Sequence, residues 1–181
     1  NDLFDKIELF AGYAFNLSHS VEYAIISYWC QWLKVHYPGE FYAAAMTTAL
    51  DQGDGEAKLE TLAMDCSKNG LLVAPPDVNL STVNFAIHRD EKRHCDVLVA
   101  PFSVVKGVSE RGSAAIVKAR EEAGGKFDSM SDFISHVPGR LCNSRARGAL
   151  EKVGSFATIE EGSISALHPD RLKDQKALIP G

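Results

Sequence analysis

The sequence has 181 residues, of which 45% are hydrophobic and 24% are charged, and its formal net charge is −5. These values are ordinary for a globular protein, and the length is enough for one domain or two small domains with a hydrophobic core. The sequence also excludes a membrane-spanning helix, because no apolar run reaches the roughly 18–20 residues that a span needs. The longest candidate, residues 21–35, contains Glu22, Gln31 and Lys34.

The first residues have neither an initiator Met nor the basic-then-apolar pattern of a signal peptide, so we interpret the sequence as a fragment without a signal peptide. The four cysteines are widely spaced, and Cys30 lies in an apolar helical pattern that suits a buried, reduced thiol. This favours a reducing, cytoplasmic compartment. A zinc site formed by His88, His94 and Cys95 is not predicted, because their spacing is irregular.

Apolar residues at helical spacing predict four helices in the first 70 residues. A short helix begins near Leu3, and a long one is capped by Ser18 or Ser20 and stopped by Pro38. The other two cover 39–50, with Phe41, Ala44, Ala45 and Thr48 on one side, and 56–69, with Gly70 as its C-terminal cap. In the long helix we expect an apolar stripe and core aromatic residues at Val21, Ala24, Ile25, Tyr28, Trp29, Trp32 and Val35.

The pattern then changes to a period of two residues. Residues 71–74 are apolar, and Pro75 and Pro76 predict an extended link. Alternating apolar residues in 83–87 predict a strand, and 97–101 is the returning strand. We therefore expect a small antiparallel hairpin whose turn is the charged segment 88–94.

Helical patterns return after residue 103. A tight turn at 107–109 precedes a helix over 110–123, and Ser129 begins a short helix. Pro138 and Gly139 end that helix, and Asn143 or Ser144 caps another that reaches Val153. No periodic signal predicts structure after residue 156. The fold class is thus mainly α, of the α+β type, with boundaries predicted at 1–74, 75–102, 103–157 and an irregular tail at 158–181.

Charge is unevenly distributed along the chain. Residues 103–152 hold nine Lys or Arg against six Asp or Glu, whereas the rest of the chain holds ten against eighteen. A local basic segment in an acidic chain is what phosphate binding requires.

Three stretches resemble the alpha subunit of bacterial DNA polymerase III, the family C replicative polymerase. Residues 10–28 and 32–44 (FAGYAFNLSHSVEYAIISY and WLKVHYPGEFYAA) are similar to the end of that family's fingers domain. Residues 71–79 are similar to the link that follows the fingers. Residues 105–121, with 143–156, resemble a tandem helix-hairpin-helix segment.

This resemblance implies a fragment of a DNA-directed DNA polymerase that positions primer–template DNA and the incoming deoxynucleotide. The family's catalytic aspartates belong to its palm domain, and no stretch of this chain matches them. We therefore predict no catalytic residue, metal site or cofactor here, and expect Mg²⁺ in the palm. The implied partners are double-stranded primer–template DNA, the rest of the polymerase chain and replisome proteins, with no membrane, in a bacterial cell or for a phage protein in its bacterial host.

A helix-hairpin-helix binds phosphate through backbone N–H groups in a glycine-containing turn and at the start of the next helix. Ser109 stands where a second turn glycine is usual, so a positive φ there would strain the turn. A plain surface turn, and for Arg145 and Arg147 a solvated basic face, are the alternatives. The predicted DNA-binding residues are Lys106, Gly107, Val108, Ser109, Arg111, Gly112, Lys118, Arg140, Arg145 and Arg147.

A second candidate site lies at the start of the long helix, which the resemblance places near the nucleotide pocket. It combines a helix N-terminus for phosphate, a His donor and an aromatic ring one turn later. The alternative is helix capping with a packed Tyr23. The predicted nucleotide-binding residues are Asn16, Ser18, His19, Ser20 and Tyr23.

Two other functions stay open: a stand-alone DNA-binding or interaction module derived from a polymerase, and a helical scaffold with neither role. The family also binds a sliding clamp through a short apolar motif containing Gln. Because residues 175–180 (QKALIP) match that motif poorly, we do not predict clamp binding.

Overall fold

The computed structural model describes residues 2–11, 17–52 and 55–162, and within them the chain is mainly helical with one small sheet. This confirms the predicted fold class. No helix in these ranges is long and apolar enough to cross a membrane. The helices are α1 (Asp2–Ala11), α2 (Leu17–His36), α3 (Pro38–Leu50), α4 (Gly55–Lys68), α5 (Glu110–Glu122), α6 (Met130–His136), α7 (Ser144–Lys152) and α8 (Ala157–Glu161). The strands are β1 (Leu72–Ala74), β2 (Ala86–Asp90) and β3 (Cys95–Val99), and a 3-10 turn covers Phe102–Val104.

Helix α2 differs from its prediction in two ways. It begins at Leu17, so Ser18 and Ser20 lie inside its first turn and are not its N-cap. None of its residues is buried, and Tyr28 and Trp29 are 67% and 61% exposed. The prediction that the aromatic residues of this helix form the core, and that Cys30 is buried, was wrong. The amphipathic pattern of a helix predicts which of its faces is apolar. It does not say whether the surface that packs against this face belongs to the same segment of the chain.

Helices α3 and α4 pack against each other and against the sheet. Pro38 occupies the first turn of α3, as predicted. The buried face of α3 carries Tyr42, Met46 and Ala49, one position away from the predicted Phe41 face. The predicted face instead lines an open groove between α2, α3 and α4, about 740 Å³ in volume, with Leu33 and Leu62 on its other walls.

A polar network joins α2 to this pair of helices. Lys34 Nζ lies 2.5 Å from Asp65 Oδ2, and the Tyr42 hydroxyl donates to the same oxygen at 2.7 Å. Asn69 Nδ2 donates to the Tyr42 hydroxyl at 2.9 Å. The hydrogen bond from Lys34 holds the pKa of Asp65 below its usual value. The C-terminal half of α2 is thereby fixed, although its apolar face stays exposed.

The sheet has the order β1-β3-β2, with β2 antiparallel and β1 parallel to β3. The predicted hairpin is confirmed, but β1 was expected only as an apolar segment leading to a link. The first strand of the hairpin also begins at Ala86 and not at Val83. Thr82 bonds to the backbone of Asn84 at both N–H and carbonyl, and such local side-chain bonds replace strand pairing before β2.

A first core contains Tyr42, Met46 and Leu98. Helices α5 to α8 enclose a second core, centred on Phe102, Ile116, Phe127, Phe133 and Leu150. Helix α8 corrects the prediction that structure ends at residue 156. Its N-terminus is held by Asp77, whose carboxylate accepts the Thr158 N–H at 3.1 Å and the Thr158 hydroxyl at 2.6 Å. A residue 81 positions away supplies the acceptors for this helix, so no local pattern could predict it.

The loop around Asp77 also binds the other elements of this core. Arg120, buried at the end of α5, donates to the carbonyls of Val78 and Ser81. Asn79 exchanges two hydrogen bonds with the backbone of Phe127. The segment predicted as an extended link therefore holds α5, α8 and the α5–α6 connection together.

Candidate nucleic-acid interface

The first candidate element is the turn between the 3-10 helix and α5. Val108 N–H donates to Val105 O at 3.0 Å, and Gly107 adopts a φ of +101°. Ser109 has a φ of −79° and is the N-cap of α5, with its hydroxyl accepting the Gly112 N–H at 3.1 Å. Ser109 therefore carries no strain from a positive φ, because this position requires a helix cap.

The start of α5 offers backbone donors. As at the start of any helix, the N–H groups of Glu110 and Arg111 have no acceptor within the helix, and the helix dipole adds positive potential. Lys106 and Arg111 are exposed on either side of the turn. This arrangement suits a phosphate oxygen.

The second element is the turn between α6 and α7. Pro138 O accepts the N–H groups of both Leu141 and Cys142, and Asn143 caps α7 by accepting the Ala146 N–H at 2.9 Å. The predicted cap at Asn143 is confirmed. The N–H groups of the following two residues are left without an acceptor inside the helix.

The predicted cations occupy different environments. Arg140 and Arg145 are exposed and Arg147 is half-buried. Lys118 lies 3.7 Å from Glu122, which offsets part of its charge. Their roles in binding DNA stay predictions.

Two of the predicted residues have packing roles. Val108 belongs to the second core, and Gly112 is buried in the first turn of α5. Sequence reasoning missed Asp77, Asn79 and Arg120, which position the helices from outside the turns. The only local signal for them was the Asx turn in which Asp77 accepts the Asn79 N–H.

The residues predicted to contact nucleotide lie at the start of α2. His19 and Tyr23 form an edge-to-face ring pair with centroids 4.4 Å apart, and both are exposed. Ser18 is exposed and Ser20 half-buried, whereas Asn16 lies outside the described residues. Within the described ranges, no cluster of three or more His, Cys, Asp or Glu side chains could hold a metal ion.

Gly107→Ala tests the geometry of the first turn. No atom lies within 4 Å of a Cβ built there, so the cost comes from the positive φ alone. We expect about 1–2 kcal/mol of destabilisation, measured by urea unfolding. Gly139→Ala, in the second turn, is the control, because its Cβ also meets open space and its φ is not positive. Equal unfolding midpoints for the two variants would contradict the assigned turn conformation.

The family model described as the helix-hairpin-helix motif matches residues 70–163. The DNA polymerase III alpha subunit of Yersinia pestis is 48% identical over 98% of this chain, and that of Escherichia coli (strain K12) is 38% identical over 85%. The Neisseria meningitidis serogroup A protein of the same name is 39% identical over 88%. This chain spans 15%, 12% and 13% of these three relatives. The chain therefore belongs to the helix-hairpin-helix family, as a segment of the DNA polymerase III alpha-subunit family.

Proposed function

We propose that this segment binds the backbone of duplex primer–template DNA, as part of a DNA-directed DNA polymerase. The binding elements are the turn at 105–109 with the start of α5 (the first hairpin) and the turn at 138–143 with the start of α7 (the second hairpin). The observation that supports this most strongly is the repeated pattern of a tight turn, a polar N-cap and a helix start. Ser109 and Asn143 cap the two helices in the same way. Each helix start lies beside exposed cations, Lys106 and Arg111 in one case and Arg140 and Arg145 in the other.

These contacts favour binding without sequence preference. Backbone N–H groups and Arg side chains that reach phosphates do not read base edges. Affinity that depends on phosphate neutralisation releases counterions, so it falls as salt is added. This behaviour suits a polymerase, which has to hold every sequence that it copies.

Within the whole polymerase, we place the chemistry outside this chain. Palm carboxylates with bound Mg²⁺ would perform nucleotidyl transfer, and the segment would hold the DNA. The exposed His19–Tyr23 pair supports a contact with the incoming deoxynucleotide from the start of α2. The bacterial relatives and the replicative role favour the cytoplasm of a bacterial cell, with replisome proteins as further partners.

The exposed apolar face of α2 supports a further contact, with the rest of the polymerase chain. Exposed apolar patches of this extent mark interaction surfaces. The groove beside Phe41 and Leu33 continues this face. Most of the length of the relatives lies outside this chain. The corresponding part of the polymerase is therefore the surface that would cover the apolar face of α2.

The proposal is tested by fluorescence anisotropy of a labelled primer–template duplex titrated with the 181-residue chain. We expect equal affinity for two unrelated sequences and a linear fall of log K with log salt concentration. No binding at about 50 mM salt would remove the DNA-binding role. Primer extension by a full-length polymerase that carries weakened hairpins then separates the polymerase role from that of a stand-alone DNA-binding module.

A further inference from the structure

Gly112, the third residue of α5, is buried against the second hairpin. A Cβ built at this position would lie 2.7 Å from the carbonyl oxygen of Leu141 and 3.3 Å from Ser109 Oγ. A carbon atom does not approach a backbone oxygen so closely, so any side chain here would force one of the two backbones to move. The absence of a side chain thus permits direct contact between the hairpins.

Neither backbone can move without cost. On the α5 side, the N–H of Gly112 is bonded to the Ser109 cap, and Ser113 N–H donates to Ser109 O at 2.8 Å. On the other side, the N–H of Leu141 donates to Pro138 O at 2.9 Å. The contact therefore joins two turns that are each fixed by their own hydrogen bonds.

The contact also lies at the ends of the elements that would meet DNA. Gly112 follows Arg111 at the start of α5, and Leu141 lies two residues before the Asn143 cap of α7. A displacement at this point would change the separation of the two helix starts.

We propose that Gly112 is a positioning residue that sets the spacing of the two hairpins, so that both bind phosphates of one duplex at the same time. The inference rests on the proposed function, and it replaces the prediction that Gly112 itself contacts DNA. Two contacts held at a fixed separation bind together, because the second is made at a high effective concentration.

Gly112→Ala tests this role, with Gly148→Ala as the matched control. Gly148 lies inside α7, and its Cβ would meet no atom within 4 Å. Both changes replace a helical glycine by the residue with the highest helix propensity, so they share that effect. Only Gly112→Ala places a methyl group against a backbone.

We expect Gly148→Ala to bind the labelled duplex like the parent chain. Gly112→Ala should bind about tenfold more weakly, and the slope of log K against log salt should fall by about 1 for each phosphate contact that the displaced hairpin loses. Arg140→Gln should also weaken binding less in the Gly112→Ala background than in the parent, because the second hairpin no longer contributes.

The outcomes separate the two proposals. If the parent chain does not bind duplex DNA, the proposed function fails. If the parent binds and Gly112→Ala matches Gly148→Ala, the inference about Gly112 is wrong. Weaker binding with an unchanged salt slope and an unchanged Arg140→Gln effect would mean a purely structural role, and would also overturn it.

If Gly112→Ala does not fold by circular dichroism, Arg111→Gln and Arg140→Gln in the parent chain decide. Simultaneous binding predicts that each change alone lowers the salt slope by about 1. If either change leaves the slope unaltered, that hairpin contacts no phosphate in the complex, so the two hairpins do not bind one duplex together and the inference is wrong.

Discussion

Replacing Lys106 and Arg111 together by glutamate is expected to lower the affinity for duplex DNA by about 100-fold at about 0.1 M salt. Both side chains are exposed beside the first hairpin. Each neutralised phosphate accounts for about 0.9 in the slope of log K against log salt, so losing two contacts should reduce the slope by about 2. Anisotropy titrations at several salt concentrations give both quantities.

Folding should be nearly unaffected by this double change. Neither side chain belongs to the core, and exposed substitutions usually change stability by less than about 0.5 kcal/mol. The matched control is Lys58→Glu with Lys68→Glu. These two exposed residues of α4 give the same change in net charge on a helix that packs against the other core of the chain. If the control weakens binding as much as the hairpin variant, the effect is one of overall charge, and the first hairpin is not the binding element.

Local sequence signals predicted much of this candidate site. Asn143 was one of the two predicted caps and is the N-cap of α7, whereas Ser109 was predicted only as part of a turn and is the N-cap of α5. Gly107 stands in a turn that needs a positive φ. These features depend on residues close together in sequence, so spacing and residue type are enough to find them.

Features that depend on distant residues were not predictable. Strand β1 forms because Leu72–Ala74 pairs with Val97–Val99, and three apolar residues give no sign of a partner so far along the chain. The contact of Gly112 with Leu141 joins two separate turns in the same way. For α2, periodicity identified the helix correctly but could not show that its apolar face would be exposed in this segment.

The cysteines show the same limit for chemistry. Cys30 was expected to be buried but is exposed, whereas Cys66 and Cys142 are buried. Burial raises the pKa of the Cys66 thiol to about 12, which keeps it protonated and unreactive. Because thiol reactivity follows from burial, residue type and spacing alone could not rank the cysteines.

Asp77→Ala is expected to cause the largest loss of stability, about 3 kcal/mol, which lowers Tm by roughly 6–12 °C. Asp77 is fully buried and accepts hydrogen bonds from the N–H of Asn79 and from the N–H and hydroxyl of Thr158. Alanine would leave these donors without their acceptor and detach the start of α8. Thermal unfolding followed by circular dichroism measures the loss.

The control is Asp128→Ala, which removes an exposed carboxylate paired with Lys126 and should lower Tm far less. Similar losses in the two variants would contradict the role of Asp77.

The same site should give stability a distinctive dependence on pH. Burial raises the pKa of Asp77 above its ordinary 3.8, and the hydrogen bonds from Thr158 and Asn79 oppose this shift only in part. The folded chain then binds this proton more tightly than the unfolded chain. The stability that protonation adds is therefore fully present below the unfolded pKa and is lost as pH rises through the folded pKa.

Asp77→Asn cannot titrate at this position. The unfolding free energy of the parent minus that of this variant should therefore be larger at about pH 4 than at about pH 7. Urea unfolding at both pH values measures it. A difference that grows with pH would mean that the hydrogen bonds, and not burial, determine the charge of this carboxyl group.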